Sequence, residues 1–441
     1  MYKKILQLAW PIIFANILQM VYQITDMFWI GRFSTDGVAA VSLAWPIIFF
    51  FMSIGIGLTI AGTIMVAQRR WAKNYESLNQ IVGQSITLAT VFSVIAAIIW
   101  SLSAPYIIGL MGADTLVSNY ATSYLQISFI GMIAVFGYMM VQSLWRGMGE
   151  VKIPVYIIIC TALINLVLDP VLIMGRWPIP SLGVDGAARS TMITQTLSWF
   201  VSLFILYRNE KYHVILKKKY FHIDKSFFKQ YMSLAIPSWI EMSARSLWMV
   251  VLAYIVAVYG TEVIAAYGVG NQIIGVVIFI ALGFSMASTT LAGQFYGARN
   301  FENIIKTKKH SLIMSVATLL IFWVAIFMGA RTLVSFFVPS EMEVITTSVT
   351  FLRIVALFLW LYAIQFVIAG MFRGLGEVKI PMIITLLSLR WLQIPIAYFG
   401  AKIYGPDAIW WSLPIANVLA TTVAWVWYEY WKRKKFLIIQ E

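Results

Sequence analysis

The stretch Arg146-Gly-Met-Gly-Glu-Val-Lys-Ile-Pro154 returns later in the chain as Arg373-Gly-Leu-Gly-Glu-Val-Lys-Ile-Pro381. Eight of the nine residues are identical, and the two copies are 227 residues apart. Weaker matches occur at an offset of 226 residues, among them Asn74 with Asn300. Self-similarity at a fixed offset indicates a repeated structural unit. The chain is therefore predicted to consist of two copies of one unit.

The composition is that of an integral membrane protein. Of the 441 residues, 61% are hydrophobic and only 11% are charged, whereas soluble domains carry about 25% charged residues. The first apolar run has no small-residue cleavage site, so it is expected to be a membrane span and not a removed signal peptide. Twelve apolar runs are long enough for helical spans. They cover residues 5–30, 38–66, 81–104, 117–144, 154–174, 184–207, 230–258, 264–291, 310–330, 342–369, 381–401 and 407–430.

The offset between the copies contains six of these spans, so both copies cross the membrane in the same direction. They are predicted to be parallel repeats related by an axis along the membrane normal. The expected fold is an all-α integral membrane protein with twelve transmembrane helices in two six-helix lobes. The predicted domains are an N-terminal lobe at residues 1–206, a cytoplasmic linker at residues 207–229 and a C-terminal lobe at residues 230–441.

The basic residues predict the orientation of the chain. If the N-terminus is inside, 24 Lys and Arg residues fall in inside segments and five in outside segments. This positive-inside bias predicts a multi-pass plasma (inner) membrane protein with both termini in the cytoplasm. The bias also accounts for the net charge of +14, so no nucleic-acid partner is expected. Cys160 is the only cysteine and the three histidines lie in loops, which predicts no disulfide and no histidine metal site.

An acid lies within the fifth apolar run, at Asp169. An ionised carboxylate in hydrocarbon is costly, so such an acid usually faces the protein interior and has a function. Asn165 is four residues earlier and shares its helical face. Pro170 has no N–H for the carbonyl of Leu166, so a kink is expected beside the acid. This oxygen-rich turn suits a proton or a small cation; the alternative is an acid that merely hydrogen-bonds neighbouring helices.

The first span carries a polar stripe that includes Tyr22, Gln23 and Asp26. Such a stripe should face a cavity and not lipid. Counting along the helices places Asp26 and Asp169 at similar depth in the outer half of the bilayer, so the two acids are predicted to meet. Adjacent carboxylates in a dry site cannot both remain ionised without a cation. The pair is therefore expected to hold one proton or Na⁺, with help from Asn165 and a hydroxyl.

The second copy lacks these acids, since Leu252 and Ile396 occupy the corresponding positions. It instead has Glu241 and Arg245 within its first span. Their spacing of four residues predicts an ion pair, which lowers the cost of burying both charges. A role of Glu241 in contacting substrate is equally open at this point.

Four features occur together in the chain. They are the first-span Asp26, the motif Asn165-x-x-x-Asp169-Pro170, the Arg-Gly-x-Gly-Glu loop of both copies, and Gly183-Val-Asp-Gly-Ala-Ala-Arg-Ser-Thr191. This combination resembles the MATE (multidrug and toxic compound extrusion) family of transporters, in particular its DinF-like branch. The resemblance covers the whole chain.

The resemblance implies a secondary active antiporter, not an enzyme, that exports amphipathic and cationic compounds in exchange for H⁺ or Na⁺. It also implies a monomer in membrane lipid without cofactors. The implied cation site comprises Tyr22, Tyr124, Asp26, Asn165, Asp169 and Thr191. Na⁺ is a candidate ligand of Asp26, Asn165 and Asp169. Glu241, Arg245 and Gln23 form a candidate substrate or second-lobe site.

Two other functions would use residues of the same types. A lipid-linked precursor flippase of the same superfamily would use basic residues in its cleft, for which Arg245, Arg353 and Arg390 are candidates. An intramembrane aspartyl protease would use two acids, but its Gly-x-Gly-Asp motif is absent from the sequence. No phosphate-binding Gly-x-x-x-x-Gly-Lys-Ser/Thr motif is present, so ATP hydrolysis is not expected. The coupling ion, the substrate and the lobe that binds it stay open.

Overall fold

The structure is a computed structural model that describes residues 1–112, 114–175, 180–208, 212, 214–215, 217–339 and 341–440. This part of the chain is almost wholly helical and contains no strand. The helices are α1 Tyr2–Phe33, α2 Thr35–Trp71, α3 Tyr75–Gly109, α4 Thr115–Gly147, α5 Lys152–Met174, α6 Val184–Arg208, α7 Lys225–Ala257, α8 Thr261–Gly297, α9 Phe301–Phe337, α10 Met342–Ala356, α11 Leu359–Gly374, α12 Lys379–Leu386, α13 Ile394–Tyr404 and α14 Asp407–Gln440. A 3₁₀ turn covers Lys218–Phe221 and a π-helical segment covers Leu387–Gln393.

These helices account for twelve membrane spans. Eleven helical segments of the described residues are long and apolar enough to cross a membrane, and α10 with α11 forms a twelfth span with a bend of 50°. The eleventh span comprises α12, the π-helical segment and α13. Each predicted apolar run lies within one of these spans, except that the run 230–258 extends one residue past Ala257, so the predicted fold class is confirmed. Many apolar side chains on the helices are exposed, for example Leu102 and Phe336, as expected where the solvent is lipid.

The repeat is visible in the backbone. Lys73 and Arg299 are 226 residues apart, and both adopt a positive φ, of 57° and 54°. Asn74 and Asn300 follow them and begin α3 and α9 as N-caps. Each Asn side chain accepts a hydrogen bond from the backbone N–H three residues later, at 3.1 Å in both copies. Such caps satisfy N–H groups that lack partners within the helix. The two copies therefore share the geometry of this turn.

The chain divides into two compact units. The first unit is Phe14–Trp239, and the second unit is Met1–Ile13 together with Ile240–Glu441. The unit boundaries thus fall inside α1 and α7, and not in the predicted linker at residues 207–229. Each unit has a central span: α4 packs against α2, α3 and α6 in the first, and α10 and α11 pack against α8, α9 and α14 in the second.

The described part of the linker is fixed to the first unit. The Tyr212 hydroxyl donates to Glu150 Oε2 at 2.6 Å, and Glu150 belongs to the repeated loop. The Ile215 backbone N–H donates to Asn79 Oδ1 at 2.8 Å. Residues 209–211, 213 and 216 of the predicted linker lie outside the described residues.

Candidate functional site

The fifth span places an amide and a carboxyl group on one buried face. Asn165 and Asp169 are 1% and 0% exposed, and Asn165 Nδ2 donates to Asp169 Oδ1 at 2.9 Å. α5 continues past Pro170 to Met174 without a break. The four-residue spacing alone therefore brings the two groups together, as the sequence predicted.

The sixth span adds a hydroxyl group to the acid. Ser190 Oγ donates to Asp169 Oδ1 and lies 3.3 Å from Asn165 Nδ2, from which it accepts. The close approach of α5 and α6 depends on Gly186, where a Cβ atom would lie 2.5 Å from the backbone oxygen of Leu172. Small residues permit such contacts between membrane helices. Gly186, one turn before Ser190, thus allows α6 to come close enough to α5 for Ser190 to reach Asp169.

The first span brings the second acid to the same place. Thr191 Oγ1 donates to Asp26 Oδ2 at 3.3 Å, and the carboxyl groups of Asp26 and Asp169 lie within hydrogen-bonding reach of each other. Consecutive residues of α6, Ser190 and Thr191, therefore contact acids from two different helices. The predicted meeting of the two acids is present in the structure.

Each acid keeps one buried oxygen free. Among the described residues, Asp26 Oδ1 and Asp169 Oδ2 have no hydrogen-bond partner. Buried polar atoms are normally satisfied, and the cost of leaving one unsatisfied is about 1–3 kcal/mol. A single proton held between the carboxyl groups would supply the missing hydrogen bond. Na⁺ would serve equally well, since it takes carboxylate, amide and hydroxyl oxygens as ligands.

The two tyrosines lie beside the acids without bonding them directly. The hydroxyl oxygens of Tyr22 and Thr194 are 2.8 Å apart, so Tyr22 is tied to α6. Tyr124 is buried on α4, hydrogen-bonds Ser128, and is close enough to both acids to interact with them electrostatically. Gln23 is half-buried on α1, next to Tyr22. The resemblance-based residues of the first lobe are thus close together, with Gln23 at their edge.

The described residues contain no group of three or more His, Cys, Asp or Glu side chains that could hold a metal ion. The two-acid site falls below that number because its other oxygens come from Asn165 and the hydroxyl groups. It suits a proton or a monovalent ion better than a divalent one, which prefers six or more oxygen ligands.

The corresponding place in the second unit is built differently. Leu252 is buried and Ile396 is half-buried, and the segment before Ile396 is the π-helical Leu387–Gln393. Pro395 follows this segment and cannot donate a backbone hydrogen bond, which favours local rewinding. The two-acid site therefore has no equivalent at these positions of the second unit.

The second unit has a buried ionic cluster around Glu241, which is 0% exposed. Arg245 Nη2 lies 3.4 Å from Glu241 Oε1, so the predicted ion pair is present. A closer partner is Arg373 Nη2, at 2.5 Å from the same oxygen. Thr385 Oγ1 also donates to Glu241 Oε1, at 3.4 Å. Glu241 Oε2 is buried and has no partner among the described residues.

Two residues of these sites were not anticipated from sequence, Ser190 and Arg373. Ser190 directly precedes Thr191 and is four residues before Thr194, so the i, i+4 spacing of small hydroxyl residues on α6 was the available signal. Arg373 belongs to the repeated loop, but its counterpart Arg146 donates to Gln142 Oε1 at 3.1 Å and not to an acid. The sequence repeat therefore gave no indication that Arg373 pairs with Glu241.

Comparisons with known proteins agree with this architecture. The model of the MatE family matches residues 11–171 and 237–399. The probable multidrug resistance protein YoeA of Bacillus subtilis (strain 168) is 29% identical over 438 residues, covering 96% of this chain and 93% of that protein. The probable multidrug resistance protein NorM of Thermotoga maritima is 25% identical, covering 91% of this chain and 86% of that protein. A crystal structure of MATE in complex with MaL6 has a TM-score of 0.91 at 22% identity, covering 97% of this chain and 95% of that one.

Proposed function

The chain belongs to the MatE family, and we propose that it is a secondary active multidrug efflux antiporter that exports amphipathic and cationic compounds in exchange for H⁺ or Na⁺. Several relatives are named as multidrug resistance or export proteins, including MepA of Staphylococcus haemolyticus. These names favour efflux over the transfer of lipid-linked precursors. The proposal makes the protein a transporter and not an enzyme.

The contact between Asp26 and Asp169 carries this proposal. Both acids lie in membrane spans, both touch hydroxyl groups of α6, and each retains one unpartnered buried oxygen. Two carboxyl groups in such contact titrate as one unit, whose charge depends on whether H⁺ or Na⁺ is bound. Binding of the ion can drive transport only if its affinity differs between two conformations. We propose that the polar stripe of α1 changes its hydrogen bonds when the site is loaded.

The multi-pass membrane character follows from the helices and the family. The positive-inside bias of the basic residues supports a plasma membrane location with both termini in the cytoplasm. We further propose that the transporter functions as a monomer in the lipid bilayer.

The test is transport by the full-length protein in proteoliposomes, with a pH gradient and a Na⁺ gradient imposed separately. We expect at least one gradient to drive uptake of an amphipathic cation such as ethidium when the concentration of the coupling ion is higher inside the vesicle than outside. We expect Asp26→Asn and Asp169→Asn to abolish the gradient-driven uptake, because an amide side chain does not take up or release a proton near neutral pH.

Asp185→Asn is the matched control. Asp185 is an acid at the beginning of α6, and its Oδ2 accepts from Ser123 at 2.7 Å. Transport driven by neither gradient would reject the antiporter. Loss of driven transport in Asp185→Asn, with Asp26→Asn still active, would reject the assignment of the ion site.

A further inference from the structure

The ionic cluster of the second unit carries an uncompensated charge. Among the described residues, Glu241 is the only acid that pairs with these arginines, and Arg245 and Arg373 both lie on the same carboxylate oxygen. Arg373 is 5% exposed, and the side chain of Arg245 is 27% exposed. Two guanidinium groups and one carboxylate leave a net charge of +1. An unpaired charge in a largely buried site is strongly unfavourable unless an ion of opposite sign or water compensates it.

A small cavity adjoins this excess charge. Its volume is about 10 Å³, which is room for about one particle of the size of water. It is lined by Arg245, Gln365, Phe366, Ala369, Pro381, Ile384, Thr385 and Ala424. The walls come from α7, α11, α12 and α14, so a bound particle would contact four helices of the second unit.

The polar groups on the cavity walls are mainly donors. The Thr385 hydroxyl accepts from Arg245 Nη2 at 3.0 Å and directs its own hydrogen towards Glu241. Arg245 Nε is buried and has no partner among the described residues. Gln365 is 6% exposed and can supply an amide donor. Arginine offers donors only, so this cavity selects against cations.

We propose that this cavity binds a small monovalent anion of the class of chloride, held by Arg245 and Gln365. The anion neutralises the net charge of +1 that the two arginines and Glu241 carry together. The small volume excludes polyatomic anions, and the guanidinium pair on Glu241 makes this cluster unsuited to a second cation site. Together with the proposed function, this means that the first unit binds a cation and the second unit binds an anion.

The test measures thermal unfolding of the full-length protein in detergent while chloride replaces gluconate at constant ionic strength. We expect a saturable rise of the unfolding midpoint by about 3 °C, because a ligand that binds only the folded state stabilises it. Anomalous scattering from bromide in crystals is expected to place a peak between Arg245 and Gln365. Binding is measured without transport, so the outcome is separate from that of the efflux assay.

Two substitutions should move the chloride response in opposite directions. Arg245→Gln leaves the neutral pair of Glu241 and Arg373, so the response should vanish and the midpoint in gluconate should not fall below that of the wild type. Glu241→Gln adds one net positive charge, so the response should be larger than in the wild type. If Arg245 and Glu241 had only structural roles, both substitutions would lower the unfolding midpoint, and they would not change the chloride response in opposite directions.

Arg353→Gln is the matched control, since Arg353 lies in a span of the same unit but stacks on Phe327 at 5.8 Å, outside the cavity. Its chloride response should equal that of the wild type. The proposal is overturned if chloride and gluconate give the same wild-type midpoint, if Arg245→Gln retains the full response, or if bromide shows no peak at the cavity.

Discussion

Replacing Ser190 with alanine tests how the two-acid site is tuned. Ser190 Oγ donates to Asp169 Oδ1, whereas the other side-chain donor to this oxygen, Asn165 Nδ2 at 2.9 Å, is unchanged by the substitution. A hydrogen bond to an ionised group contributes about 1.5–3 kcal/mol. Losing it favours the protonated form of the pair, since the ionised form is the one that the bond stabilises.

The size of the effect follows from the energy of this one bond. A shift of one pH unit corresponds to about 1.4 kcal/mol, so Ser190→Ala should raise the pH of half-maximal transport by about 1–2 units. The assay is the initial rate of substrate uptake into proteoliposomes between pH 5 and pH 9, at fixed Na⁺ concentration. The direction is upward because the pair keeps its proton to a higher pH.

Ser198→Ala is the matched control for this experiment. Ser198 is a buried serine two turns further along α6, and it donates to the backbone oxygen of Thr194 at 2.8 Å. Its removal should leave the pH profile unchanged. A profile of Ser190→Ala that coincides with the wild type, or an equal shift in Ser198→Ala, would refute the reasoning.

Two further predictions concern packing and orientation. Gly186→Ala should separate α5 from α6, lower the free energy of unfolding by about 1–3 kcal/mol and weaken ion-driven transport. Gly329→Ala is the control, since a Cβ there meets nothing within 4 Å, and it should leave stability and transport unchanged. Equal thermal midpoints and transport rates in the two variants would contradict this prediction. In a Cys160→Ser background, Lys402→Cys should react with a membrane-impermeant maleimide in intact cells and Lys218→Cys only after permeabilisation. Labelling of both from the same side would disprove the predicted orientation.

Much of the first-unit site could be predicted because its residues obey simple spacing rules. Asn165 and Asp169 are one turn apart on a continuous helix, and the depth of Asp26 follows from counting along α1. The contact of Asp26 with Asp169 could then be predicted from the assumption that ionisable groups at similar depth in the membrane lie close together. The choice between Ser190 and Thr191 could not be made this way, since adjacent hydroxyl residues differ by about 100° around a helix and either can face the acid.

The departures from regular helix were not predictable from the sequence. The bend between α10 and α11 falls at Leu357 and Phe358, where neither proline nor glycine marks it in the sequence. The π-helical segment ends just before Pro395, yet the comparable Pro170 lies inside an unbroken α5. A proline therefore signals strain without saying how the backbone relieves it.

The unit boundaries inside α1 and α7 have a consequence for biogenesis. Residues 1–13 leave the ribosome first but belong to the unit whose remainder, Ile240–Glu441, is made last. The first unit, in turn, is complete only after Trp239 has been synthesised, beyond the six spans of the first repeat. The beginning of α1 can therefore meet the rest of its unit only after the eleven further spans have been synthesised.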